Sequence, residues 1–332
     1  MTSGGVSHKG RKSMLVIKGF VLAFVRLALV AGLALSASVA INFPYHYDRP
    51  IPPAEVEALK KYYAGVYGGV EEEPAEVAVE DDSEYVRFAK NARHHFRIED
   101  QVRAFVERFN LHDRAVLEIG SGSGYLQDLV DNYTGLDIAP TAARYYHKKF
   151  IVGSATALPF PDNSFDVIWS IWVFEHVPNP EQALAEARRV TTNGGLLFLL
   201  PAWNVPSWAA TGHNIRPYAN LGWREKIVKA TIPVRSSMAF QAASALPVRA
   251  LRAAAARIGP TRLRYRRLEP NYEHYWQADS DAVNSIDGHE AMLWFTSRGD
   301  ECLSCGENPV FFPLFHQPLI VRVQKGKIQS QN

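Results

Sequence analysis

The residues best placed to do chemistry begin at Ala115, where an apolar run carrying Glu118 ends in three glycines at alternate positions, Gly120, Gly122 and Gly124. Such a run reads as a buried strand followed by a tight turn, and glycine lets backbone approach a ligand where a Cβ would collide. Leu126, Leu129 and Val130 follow at helical spacing, which predicts that the loop opens a helix whose first N–H groups face that ligand. A Gly-x-Gly-x-x-Gly fingerprint needs glycine at position 125, and Tyr125 stands there, so a nicotinamide oxidoreductase is disfavoured. Asp137 lies in the next apolar stretch, Tyr133–Ile138, and two histidines are candidates for a general base: His176, just past the run Val167–Val173, and His274 in the second half of the chain. The only cysteines, Cys302 and Cys305, have the spacing of a redox pair or half a zinc site. No second Cys or His pair completes four ligands, so two ordinary thiols in a reducing compartment are expected and no metal is assigned.

These groups need a frame, and the middle of the chain supplies an alternation of strands and helices. Strands are expected at Ala115–Ile119, Tyr133–Ile138, from Phe150, at Val167–Val173 and at Leu196–Leu200. Asn179 caps and Pro180 opens a helix running from Glu181 to Val190, with Gly194-Gly195 expected to end it. This order calls for a doubly wound sheet. Ser83 to Asn110 reads as a helical pair leading into the first strand, and its cluster of Lys90, Arg93, His94, His95 and Arg97 is read as a solvated face ahead of an anion site.

Glu118-x-Gly-x-Gly-x-Gly124 resembles the first motif of class I S-adenosylmethionine-dependent methyltransferases, and Phe174-Glu-His-Val177 resembles the type 11 group, which includes quinone-biosynthesis methyltransferases. The resemblance covers about Phe96 to Ala202. It implies a Rossmann-like doubly wound α/β fold with a seven-stranded sheet, mostly parallel with an antiparallel last strand, and S-adenosyl-L-methionine as cofactor. The closing helix at His289–Phe295 and the strands at Glu301–Cys305 and Leu319–Val323 fit the end of such a sheet. By resemblance Glu118 binds the methionine amino group, the glycines with Ser121 pass under methionine and ribose, and Asp137 with Ile138 holds the ribose. Ser154 and Ala155 edge the adenine, Ser154 standing where the family's Gly-Asp-Ala stretch has an acid, and Ser170 lies near the methionine tail.

With 332 residues, 47% hydrophobic and 21% charged, the chain can bury one large core plus an elaboration. The division expected is a basic and apolar N-terminal segment over 1–42, a connecting arm and helix over 43–95, and the donor-binding core over 96–204. A basic amphipathic insertion over 205–287, the end of the core sheet over 288–325 and a tail over 326–332 complete it. The apolar stretch from Met14 to Ala40, interrupted by Lys18 and Arg26, reads as a membrane span, a secretory signal or an interfacial helix, with a helix packed on the protein as the plain alternative. In the arm one short helix is expected at Pro53 to Tyr63. From Arg224 to Arg267 the insertion carries eleven lysines and arginines against one acid, Glu225, which suits an anionic membrane surface, a phosphorylated substrate or a solvated cap. The cluster Glu269–Trp276, followed by Asp279-Ser-Asp281, suits a pocket wall or a seal onto the core equally.

In-line methyl transfer needs positioning above all, and a base only where the acceptor must lose a proton. Nucleic acid is disfavoured as acceptor, because Ser170-Ile-Trp-Val173 stands where amino methylation of bases uses an Asp/Asn-Pro-Pro-Tyr stretch, and neither cysteine lies near that strand. A small-molecule, lipid-linked, quinone-like or glycan-type acceptor is expected, in a cytoplasmic protein associated with the cytoplasmic face of a membrane. The alternative is a non-catalytic membrane-associated scaffold of the same fold. Oligomeric state is not legible.

Overall fold

The computed structural model describes residues 19–34, 52–68, 83–272, 277–306, 310, 312 and 317–326. Helices are α1 (residues 19–34), α2 (Pro53–Gly68), α3 (Glu84–His95), α4 (Ile98–Phe109), α5 (Pro180–Val190), α6 (Ser207–Thr211), α7 (Trp223–Arg235), α8 (Met238–Ala256) and α9 (Gly288–Thr296). Strands are β1 (Val116–Ile119), β2 (Tyr133–Asp137), β3 (Lys149–Val152), β4 (Phe165–Ile171), β5 (Thr191–Leu200), β6 (Tyr265–Arg267), β7 (Asn284–Ile286), β8 (Glu301–Cys302) and β9 (Leu319–Arg322).

Seven strands form one sheet in the order β3-β2-β1-β4-β5-β9-β8. The first five run parallel, and β9 and β8 close it antiparallel. Central strands covered on both faces must be largely apolar, and they are, with Glu118 in β1 and Ser170 in β4 as buried polar exceptions. Val116, Val167, Trp169 and Phe198 face α4 through Val102, Phe105 and Val106, while Leu117, Ile168 and Leu197 face α5 and α9 through Ala183, Leu184, Ala187 and Phe295. Strand order reverses between β1 and β4, so the crevice beyond their carboxyl ends is where a ligand of such a sheet sits.

Four sequence expectations change. The glycine loop opens no α-helix; a single 3-10 turn, Gln127–Leu129, follows it. The chain must start β2 at Tyr133, and the stretch between is too short for a helix and its return, so Leu126, Leu129 and Val130 reach the core from the turn instead. The Asn179 side chain does accept from Gln182 N and cap α5, but α5 ends at Val190 and Gly194-Gly195 lie inside β5. The helix of the arm runs to Gly68, past the expected end at Tyr63 by about one and a half turns. Cys302 and Cys305 are joined as a disulfide, with Cα atoms 5.8 Å apart at the end of β8, rather than standing as two thiols.

The insertion is fastened to the core by its own arginines. Arg249 on α8 is buried and donates to both carboxylate oxygens of Asp287, the cap of α9, at 2.9 Å from Nε. Arg252 grips Glu290 with two bonds of 2.7 Å. Two of the cations read as facing an anionic partner thus face inward. Leu263 and Tyr265 are buried as their alternation requires, and Tyr265–Arg267 pairs antiparallel with β7. Among the described residues no helix is long and apolar enough to cross a membrane; the apolar side chains of residues 19–34 are exposed. Residues 1–18 and 35–51 lie outside the described residues.

Candidate active site

Two chambers lie beyond the carboxyl ends of β1, β2 and β4. The first is bounded by Gly120, Asp137, Ile138, Ser154 and Ala155 from the core and by Tyr63, Tyr67 and Tyr85 from the arm. Asp137 ends β2 with both carboxylate oxygens engaged, Oδ2 accepting from Gly122 N and Oδ1 from Ala139 N, each at 2.9 Å. A carboxylate oxygen has two acceptor sites, so one on each oxygen remains for a pair of hydroxyls. Burial holds its pKa above the usual carboxylate range, and the backbone N–H bonds oppose this.

Glu118 lies beneath the loop, 2% exposed. Burial pushes its pKa up to about 7, and the Tyr133 hydroxyl, donating to Oε2, works against the rise. A buried acid at that value is poised to ionise when an ammonium arrives. Ile119 in β1 accepts from the Ser170 hydroxyl at 2.9 Å. Ser170 is wholly buried and does not line the chamber; its hydroxyl is spent on joining β4 to β1. Ser121 is buried behind the loop, likewise away from the chamber. Ser154 lines the chamber with its hydroxyl 2.9 Å from that of Thr156 in a local turn.

The glycines divide their work. Gly120 lines the chamber. Gly122, at φ +49°, lies under the arm: a Cβ there would stand 2.7 Å from the Tyr67 hydroxyl. Gly124, at φ +64°, makes room for the Tyr146 ring, 2.8 Å from its would-be Cβ, and so serves packing.

The second chamber, about 280 Å³, adjoins the first across Tyr85, Trp172 and His176, which line both. Its walls are Phe88, Ala89 and Ala92 of α3, Phe96, Ile98 of α4 and Leu200 of β5. Its polar end is Asp279 and Asp281, brought by the insertion. Trp172 adopts φ +54° just past β4, which turns the chain back across the crevice. His176 sits in a 3-10 turn with Nδ1 3.8 Å from Asp281 Oδ2 and Nε2 3.8 Å from Glu175 Oε1. Burial lowers its pKa, but Asp281, Glu175 and Asp279 together outweigh this and raise it above the ordinary histidine value. Glu175 is fully buried, accepts from Ala202 N at 3.1 Å and is pushed up to about 7 by burial. Asp281 also accepts from the Tyr63 hydroxyl at 3.0 Å, tying arm to insertion. The other base candidate, His274, lies outside the described residues.

Sequence reasoning missed the arm's part in both chambers. Tyr63 and Tyr67 are four apart on α2, and that spacing marks one helix face. It missed Arg93 as well, which stacks 3.8 Å from the Tyr125 ring centroid and donates to Ser123 Oγ at 3.0 Å, on the glycine loop rather than in a solvated cluster. A larger open hollow lined by Glu181, Arg188 and Arg298 lies along α5, away from the strand ends.

Comparison with known proteins agrees with this geometry. A family profile described as a methyltransferase domain matches residues 117–199. A malonyl-[acyl-carrier protein] O-methyltransferase of Coxiella burnetii is 34% identical over 107 residues, which cover 30% of this chain and 38% of that protein. A 2-methyl-6-phytyl-1,4-hydroquinone methyltransferase of Synechocystis is 35% identical over 102 residues, covering 27% and 32% respectively. A phthiotriol/phenolphthiotriol dimycocerosates methyltransferase of Mycobacterium leprae is 33% identical over 123 residues, covering 32% and 46%. The chain thus spans less than half the length of these relatives. Its seven-stranded core, closed by antiparallel strands around the matched segment, is a class I S-adenosylmethionine-dependent methyltransferase domain.

Proposed function

We propose that the protein transfers a methyl group from S-adenosylmethionine to a small apolar acceptor, quinone-like or lipid-linked. One observation carries this reading: at the β1/β4 switch point, a chamber edged by Gly120 and Asp137 opens across His176 and Trp172 onto a second, largely apolar chamber. The residues present fit the donor. Asp137 has acceptor sites left for ribose hydroxyls, Ile138, Ser154 and Ala155 edge the adenine, and the Glu118 carboxyl, buried outside the chamber's lining, is the candidate for the ammonium. The donor supplies a methyl group on a sulfonium. The chain's part is to hold nucleophile, methyl and sulfur in line and to keep water out, which can account for most of the rate.

The reading includes a location at the cytoplasmic face of a membrane. Trp223, Ile227, Met238 and Leu251 are exposed on α7 and α8 beside Arg224 and Lys226, the composition of an interfacial surface. A scaffold without catalysis is the second reading, favoured by the Tyr67 hydroxyl that stands over Gly122. Calorimetric titration of the full chain with S-adenosylhomocysteine separates the two. Micromolar binding that Asp137→Ala abolishes supports the enzyme, whereas no binding by the folded chain leaves the scaffold.

A further inference from the structure

Resting on the methyl-transfer reading, we propose that the second chamber holds the acceptor and selects an apolar, uncharged molecule that presents a hydroxyl, whose proton passes to His176. The lining makes the selection. Phe88, Phe96, Ile98, Trp172 and Leu200 give an apolar sleeve in which a ring or chain loses its water. The lining also carries Asp279 and Asp281, and no lysine or arginine lines this chamber among the described residues. A carboxylate or phosphate on the acceptor meets like charge there in a partly desolvated space. The basic insertion therefore turns an acidic turn, not its arginines, toward the reacting centre, and a phosphorylated acceptor is selected against.

The hydroxyl follows from what surrounds the imidazole. An amine attacks through a lone pair it already has, whereas a hydroxyl needs its proton taken as it attacks. His176 lies between two carboxylates, each 3.8 Å from one ring nitrogen. Its own turn supplies Glu175, α2 supplies Tyr63, α3 supplies Tyr85, and the insertion supplies Asp279 and Asp281. This acidic surround stabilises an imidazolium once it forms, which is what a base at this place requires. In the step, the acceptor oxygen bonds to the methyl carbon as the carbon–sulfur bond breaks. The sulfur keeps the electron pair and leaves as a neutral thioether. The hydroxyl proton goes to His176 and from there to solvent.

The test uses the full chain saturated with S-adenosylhomocysteine and titrated with 4-alkylphenols, the matching 4-alkylanilines and the matching 4-alkylbenzoates. Methyl products are measured separately with S-adenosylmethionine. Phenols are expected to bind at least about tenfold more tightly than benzoates, and Asp281→Asn to narrow that preference. Ala92→Trp, which fills the sleeve, should abolish phenol binding and leave the S-adenosylhomocysteine titration unchanged. His176→Gln should leave phenol binding intact, lower methyl-ether formation roughly 100-fold and remove its rise with pH. S-adenosylhomocysteine binding without phenol binding overturns this proposal alone, as do benzoates that bind as tightly as phenols or a His176→Gln variant of normal rate. No S-adenosylhomocysteine binding by the folded chain overturns both this proposal and the methyl-transfer reading.

Discussion

The two chambers share Tyr85, Trp172 and His176, yet they are built from different kinds of chain. On its core side the first rests on strand ends and a glycine turn within about twenty consecutive residues, Ile119 to Ile138, plus the turn after β3, and the arm closes it through Tyr63, Tyr67 and Tyr85. The second is gathered from α3, the ends of β4 and β5 and a turn of the insertion, so its walls come from places far apart in sequence. A site whose geometry is set by local turns can be carried from protein to protein as a motif. One assembled from side chains on separate elements has no motif to carry, and it changes whenever those elements do.

Breaking the joint between core and insertion should have the largest effect. Arg249→Leu leaves Asp287 buried without its partner and should destabilise the fold by about 3–5 kcal/mol, read as a lower denaturant midpoint at unchanged slope. Next comes the core's own chamber: Asp137→Ala should weaken S-adenosylhomocysteine binding by roughly 3 kcal/mol, more than 100-fold, while Asp281→Asn leaves that titration nearly unaltered. If the two variants weaken donor binding equally, the chambers are not separate.

Protonation sharpens the contrast further. Burial places the Glu118 pKa at about 7, and an ammonium beside it favours the carboxylate, so donor binding should release a proton below that value. Affinity should then rise with pH up to about 7 and level off, by roughly tenfold overall, and Glu118→Gln should flatten the profile. At the insertion joint stability depends on pH with the same sign. His289 is fully buried with its pKa lowered to about 4 by burial, so the unfolded chain takes up a proton below the ordinary histidine value while the folded chain does not. Its contribution is constant above that ordinary value and is lost as pH falls toward 4, by up to about 3 kcal/mol, which His289→Leu should remove from the acid limb of a melting profile. The smallest change concerns the outer face: Trp223→Ala should reduce co-sedimentation with anionic vesicles by about tenfold or less and leave donor binding as it was.

How much could be read beforehand follows the same division. The alternation of apolar strands and capped helices from Val116 to Leu200 is a local property, and β1, β2, β4 and α5 lie within a few residues of where their spacing puts them. The helix after the glycine loop failed because spacing records which side chains are buried and says nothing of how many residues remain before the next strand must start. Ser170 is a related case: it lies in β4 as its spacing indicates, but its hydroxyl is taken by a neighbouring carbonyl, that of Ile119. The arginines of α8 looked like a surface because their acids, Asp287 and Glu290, are nearly forty residues away. Tyr63 and Tyr85 carry no signal one by one and acquire meaning only where they converge with Asp281, which the sequence marks as part of a pocket wall or a seal.

The Tyr67 hydroxyl over Gly122 has a kinetic consequence. A ligand approaching the glycine turn meets a tyrosine already seated there, so association has two steps, with the ring leaving first. The observed association rate should therefore saturate with ligand concentration, at a plateau set by how often α2 lets that ring go, and Tyr67→Ala should restore a straight line in a stopped-flow trace. The arm then acts as a clock on entry, independent of how tightly the nucleoside is held once inside.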